Sequence, residues 1–205
     1  MNLAKLISAT APGPRPVILL EGTRRLPGSA HAELAGLAGW LCLTFPTAIF
    51  RSGNAEGSDE VFANAVAGID ASRLELIIPN DAMGRKRRPK GCRCVSLDEL
   101  PDAELSRAAE VTRQASPASG RLSDYYLRNR RGSSSPASSK GSYLLRDTLK
   151  VTGLEFAGLA PAAFGVFFVN AENPEGGGTG HTVRVCSLLG VGVAIQPEWQ
   201  AWART

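Results

Sequence analysis

Three polar, glycine-bearing stretches hold most of the side chains with chemical capacity. They are Gly22-Thr23-Arg24, Ser52-Gly53-Asn54-Ala55-Glu56-Gly57-Ser58-Asp59 and Gly176-Gly177-Gly178-Thr179-Gly180-His181-Thr182. Glycine lets backbone N–H groups approach a phosphate with no Cβ in the way. A helix opening directly behind such a loop adds unpaired N–H groups and a partial positive charge. Thr179 and Thr182 add hydroxyls, Arg24 adds a two-pronged donor for phosphate, and Asp59 and Glu60 add acceptors for a ribose or a base. His181, beside the last glycine loop, is disfavoured as a cation by the helix dipole and suits a neutral hydrogen-bonding role. Singly, Gly53-Asn54 reads as a turn, Ser58 and Asp59 as helix caps, and Gly176–Gly180 as a connection. Together at the ends of predicted strands they point to a phosphate site. Neither G-x-G-x-x-G after the first strand nor G-x-x-x-x-G-K-[ST] occurs, which argues against ordinary dinucleotide and P-loop chemistry.

The elements that must position these residues follow from periodicity. Short apolar runs at Val17–Leu20, Thr47–Phe50, Leu74–Ile78, Ala163–Val169 and Val191–Ile195 read as buried strands. Helical spacing is expected from about Ala30 to Leu43 with Ser29 as cap, and then from Ser58 or Asp59 over Val61, Phe62, Ala65, Val66 and Ile69. Further helices are expected from near Pro101 to Ala115, from Ser142 to Val151 and from about His181 to Leu189. Residues 84–93 read as a basic loop and 132–142 as a mobile low-complexity segment. Strands alternating with helices imply an α/β fold, a Rossmann-like parallel sheet of about five strands. If the order is 3-2-1-4-5, it reverses between the first and fourth strands. Ligands of such sheets bind outside the carboxyl ends of the strands, where the order reverses.

The chain of 205 residues is 43% hydrophobic and 20% charged, enough for one folded core and too apolar for disorder throughout. One domain spanning 1–205 with an insertion at about 81–141 is expected. No run of about 18 apolar residues occurs and the N-terminus lacks a secretory h-region, so a cytoplasmic protein without a membrane partner is expected. The net charge of +4 is uneven: residues 81–150 hold 15 Lys and Arg against 8 Asp and Glu, and the rest is acidic by three. Within that segment Arg85, Lys86, Arg87, Arg88, Lys90 and Arg93 read first as a solvated loop and second as a sequence-blind contact to a nucleic-acid backbone. No aromatic residue interleaves them; Tyr125, Tyr126 and Tyr143 adjoin Arg128, Arg130 and Arg131 instead. Cys92-x-Cys94 lacks a second ligand pair, so surface thiols are expected rather than zinc, and Cys42 and Cys186 read as packing residues. No metal or cofactor is expected. Trp199 and Trp202 are expected to cover a sheet edge or a subunit interface, and a homodimer is expected.

The segments VILLEGTRR, FRSGNAEGSDEVFA, LELIIPN and GGGTGHTVRVCSLLGVGVAIQ, in that order, resemble the Rossmann-like superfamily of DprA and the lonely-guy proteins, most closely its DprA-like bacterial and phage branch. The resemblance spans about residues 16–80 and 142–196 and implies a nucleotide or nucleotide-derived ligand with its phosphate on the last glycine loop. Carried over, it points to Gly22, Thr23, Arg24, Ser52, Gly53, Gly57, Ser58, Asp59, Gly177, Gly178, Thr179 and Gly180. It also implies that the helix containing Arg146–Gly153 lies beside the pocket. The lonely-guy phosphoribohydrolases cleave an N-glycosidic bond with the glutamate of P-G-G-x-G-T-x-x-E, but this chain has Thr182 at that position. Glu21, Asp59 and Glu60 are the substitute carboxylates, and the sequence selects none of them. The reading that follows is a nucleotide-binding protein, with N-glycosidic hydrolysis as its chemistry if it is an enzyme. The alternative is a DprA-like nucleic-acid binder working through the basic insertion.

Overall fold

The computed structural model describes residues 3–11, 13–130 and 135–202. Six parallel strands form one sheet in the order β4-β3-β2-β1-β5-β6: β1 (Val17–Gly22), β2 (Ile49–Ser52), β3 (Leu74–Ile78), β4 (Arg93–Ser96), β5 (Ala162–Phe168) and β6 (Gly192–Ala194). Five of them stand in the expected order. The sixth, β4, comes from residues that read as basic loop; it pairs outside β3 with Glu75 opposite Arg93 and Ile78 opposite Ser96. Its four residues include only one large apolar side chain, Val95, so periodicity carried no strand signal there.

Helices cover both faces. On one side lie α1 (Leu3–Thr10), α2 (His31–Thr44), α3 (Ser58–Asp70) and α8 (Gln196–Trp199), packed on Ile18, Leu20, Phe50, Leu76, Ile78, Phe164 and Val166. On the other lie α4 (Asp102–Ala115), α5 (Pro117–Asn129), α6 (Pro136–Thr152) and α7 (Gly177–Leu188), packed on Leu19, Ile77 and Phe167. Successive strand residues alternate between these faces. Glu21 therefore follows Leu19 toward α6 and α7, and Arg51 follows the same rule on β2. Arg51 belongs to β2 and is buried. Glu75 sits opposite it in register and takes its guanidinium at 2.7 and 2.9 Å. A third Arg51 nitrogen donates to the Lys150 carbonyl at 3.0 Å, fixing α6 against the sheet.

Several expected details differ. Ser29 does not cap α2, which is preceded by Ala30 with no side-chain cap, and α3 is preceded by Gly57 rather than capped by Ser58 or Asp59. Helices α1 and α5 were not anticipated. Residues 135–142 are ordered as the start of α6, where Ser135 caps the helix by accepting from the Ser138 N–H at 3.1 Å. The low-complexity composition is a packing device: a Cβ at Gly141 would overlap the Leu122 carbonyl and the Tyr126 side chain, so only glycine lets α5 and α6 cross this closely. Arg131 and residues 132–134 of that segment lie outside the described residues. Gly141→Val is expected to destabilise the chain by about 1–3 kcal/mol through overpacking, visible as a lowered urea midpoint; an unchanged midpoint would mean the helices part without cost.

Trp199 and Trp202 are both buried within the chain. The Trp199 indole donates to the Phe167 carbonyl at 3.0 Å, and Trp202 lies 6.2 Å from Trp40 between ring centroids. They seal the first core and offer nothing to a partner subunit. Among the described residues no helix is long and apolar enough to cross a membrane.

Candidate functional site

The strand order reverses between β1 and β5, and a cleft of about 800 Å³ opens there at the carboxyl ends of the strands. That lies within the roughly 300–1,000 Å³ typical of small-molecule sites. Of the residues anticipated, Gly22, Thr23, Arg24, Asn54, Asp59, Gly177, Gly178 and Thr179 line it. Ser52, Gly53, Gly57, Ser58, Gly180, His181 and Thr182 stand behind them and hold the wall.

The three loops do not form one shared anion cradle. The first two are bonded to each other and to Asp59. Gly22 N–H donates to Asp59 Oδ1 at 3.1 Å, Thr23 N–H to the Phe168 carbonyl at 2.8 Å and Ser58 N–H to the Thr23 carbonyl at 3.1 Å. The Ser58 hydroxyl also donates to that carbonyl, at 3.0 Å. Gly57 takes φ 83° with the Thr23 and Arg24 carbonyls where a Cβ would be, so glycine here serves loop-to-loop contact. Asn54, also left-handed at φ 54°, donates through Nδ2 to the Gly84 carbonyl at 3.1 Å.

The third loop keeps free donors. Gly177 to Gly180, expected to precede the helix, are its first turn; Gly176 is the flanking residue. Gly180 N–H bonds the Gly176 carbonyl at 3.1 Å, and the amides of Gly177, Gly178 and Thr179 find no acceptor among the described residues. His181 points away from the cleft. It is buried between Thr148 (Nε2 to Oγ1, 3.1 Å) and Ser116 (Nδ1 to Oγ, 3.3 Å), and burial lowers its pKa, so it is a neutral link between helices.

The floor of the cleft is a cluster of buried charge that sequence reasoning only partly located. Arg146 and Asp147, adjacent on α6, and Lys150 one turn further on meet Glu21 from β1 and Asp59 from α3. Lys150 Nζ lies 2.7 Å from Glu21 Oε2 and 2.8 Å from Asp147 Oδ1. Arg146 donates to Asp147 Oδ1 at 3.0 and 2.6 Å and to the Gly53 carbonyl at 3.2 Å. The family resemblance marked this helix, but no single residue on it. The available signal was three charges at helical spacing among Leu144, Leu145, Leu149 and Val151, charges too many for a face that apolar.

Three carboxylates share two cations, and their environments separate them. Burial pushes the Glu21 carboxyl up to about 7 against the pull of Lys150. Burial also raises Asp59, opposed by Lys150 and Arg146. For Asp147 the burial penalty is overcome by Arg146 and Lys150, which hold it well below the usual carboxylate range. Two carboxylate oxygens in this cluster, Glu21 Oε1 and Asp147 Oδ2, are buried with no hydrogen-bond partner among the described residues. Thr182, at the position of the resembled family's glutamate, sets its hydroxyl 3.1 Å from Glu21 Oε2. Glu60 is turned away, 4.0 Å from Arg87.

Cations ring the mouth instead: Arg24, Arg25, Arg87, Lys140 and Arg184. Of the basic run, Arg87 pairs with Glu56 at 2.9 Å, Arg88 with the Asp81 and Met83 carbonyls and Arg93 with the Ala157 carbonyl. Arg85, Lys86 and Lys90 are exposed. Half of the run is thus engaged by the protein itself, Arg88 within its own loop and Arg87 and Arg93 on neighbouring ones. Cys92, just before β4, and Cys94, within it, are half-buried thiols, and burial pushes Cys94 up to about 11.

The fold and the cleft define a Rossmann-like α/β protein with a polar site at its strand reversal. No family model, curated protein or solved structure matches the chain.

Proposed function

We propose that the chain binds a nucleoside phosphate in this cleft and hydrolyses its N-glycosidic bond. The observation that carries the reading is the division of the cleft by charge. Free amides of α7 and the cations Arg24, Arg25 and Arg184 stand at the mouth, while carboxylates with free oxygens stand on the floor. An anionic phosphate suits the first and a hydroxyl-bearing sugar the second.

The floor also suits the chemistry. Breaking the bond between the anomeric carbon and the base nitrogen builds positive charge on the sugar, which ionised Asp147 stabilises. Water attacks that carbon, Glu21 Oε1 takes its proton, and the bond's electron pair leaves with the base, which is reprotonated. A carboxyl poised near neutrality is suited to that proton transfer at ordinary pH. Lys150 and Thr182 hold the other Glu21 oxygen and so aim the free one.

Calorimetry with the common nucleoside 5′-monophosphates tests binding, and chromatography of free base tests cleavage. Gly178→Asp, which puts a second carboxylate at the first turn of α7 and against Asp147, is expected to reduce affinity at least about 100-fold. If no nucleotide binds the unaltered protein, the proposal fails.

A further inference from the structure

Asp147 is tightly held through one carboxylate oxygen and left bare at the other. It is 1% exposed. Its Oδ1 is saturated by three donors, two from Arg146 and one from Lys150. Its Oδ2 is itself buried and has no partner among the described residues; it belongs to a residue that lines the cleft and lies where a Cβ on Gly178 would approach to 2.6 Å. Because both neighbouring cations are engaged on the other oxygen, Oδ2 is an ionised acceptor left without a donor among the described residues. An ionised buried acceptor left bare is costly, so its partner is an O–H or N–H brought by the ligand. Oδ2 also sits against the first turn of α7, next to the free amides of Gly177, Gly178 and Thr179. A ligand satisfying both must carry a hydroxyl donor a short distance from its anionic group, as the hydroxyls of a sugar phosphate do. In other Rossmann-type sites a carboxylate takes the ribose 2′-hydroxyl in just this chemical role.

Resting on the nucleotide reading above, we infer that Asp147 is the sugar-recognising residue: its free Oδ2 accepts from the ribose hydroxyls, so the cleft takes ribonucleotides and rejects 2′-deoxyribonucleotides. The preference follows from asymmetry. A deoxy ligand leaves Oδ2 with one donor fewer, whereas a ribo ligand satisfies it.

The test compares four ribonucleoside 5′-monophosphates with their 2′-deoxy counterparts by calorimetry on the unaltered protein. The ribo series is expected to bind about 10- to 100-fold tighter. Gly178→Ala, whose Cβ displaces Oδ2 without removing any charge, is expected to shrink the ratio to a few-fold. Asp147→Asn is expected to do the same, because Arg146 and Lys150 retain the amide oxygen and turn its NH2 into the cleft. Equal affinities for the two series in the unaltered protein overturn this inference and leave nucleotide binding standing. A preserved ratio in folded Gly178→Ala overturns the assignment to Asp147. Absence of binding by either series removes the parent reading and this one with it. If Asp147→Asn does not fold, Gly178→Ala and the unaltered ratio still decide.

Discussion

Lys150→Met is expected to lower the unfolding free energy by about 3–5 kcal/mol, the largest stability effect of any single change at the site. The ammonium is 1% exposed and bridges Glu21 and Asp147, so methionine keeps the volume and removes the charge that offsets two buried carboxylates. Burial alone would lower the Lys150 pKa, but the carboxylates of Asp147 and Glu21 raise it. Arg146 still holds Asp147 in the variant, so Glu21 is the group left bare, and it will take up a proton at higher pH than before. Urea denaturation monitored by circular dichroism measures the loss. A change below about 1 kcal/mol would show that the lysine is a passenger in its own cluster.

Glu21→Gln is expected to abolish base release, with turnover falling about 10²- to 10⁴-fold while nucleotide affinity changes by less than about tenfold. Glutamine retains a contact to Thr182 and Lys150 through its amide oxygen but cannot accept the proton of water. The unaltered protein should show a rate rising with pH up to about 7, the value to which burial pushes the Glu21 carboxyl, and level above it. The same residue sets a stability signature. Its folded pKa exceeds its unfolded value of 4.5, so its contribution is fully present below 4.5 and is lost as pH rises through 7. Between pH 5 and 7.5 the unaltered protein should therefore lose stability relative to Glu21→Gln, whose curve lacks this decline. A variant that releases base at the native rate would remove Glu21 from the chemistry and leave Asp59 as the carboxylate to examine.

The sequence by itself determined the layered architecture. Runs such as Val17–Leu20 and Leu74–Ile78 are apolar enough to be buried on both faces, and helical periodicity between them requires parallel crossovers. The crevice and the approach of α7 to it followed once the order 3-2-1-4-5 was assumed, and it is the tertiary structure that shows that order. The sequence did not expose β4 or α5, whose residues owe their conformations to pairing with β3 and to packing on α6. Nor did it separate the three glycine loops. Gly57 and Gly178 look alike as letters, but one closes a loop against the Thr23 and Arg24 carbonyls and the other makes room for Asp147. What only the tertiary structure decided is the charge floor. Glu21, Asp59, Arg146, Asp147 and Lys150 come from three elements up to 129 positions apart, and pairing energies between such groups depend on distances that no local pattern encodes. Burial then makes those distances count, because the same charges in water would be screened and interchangeable.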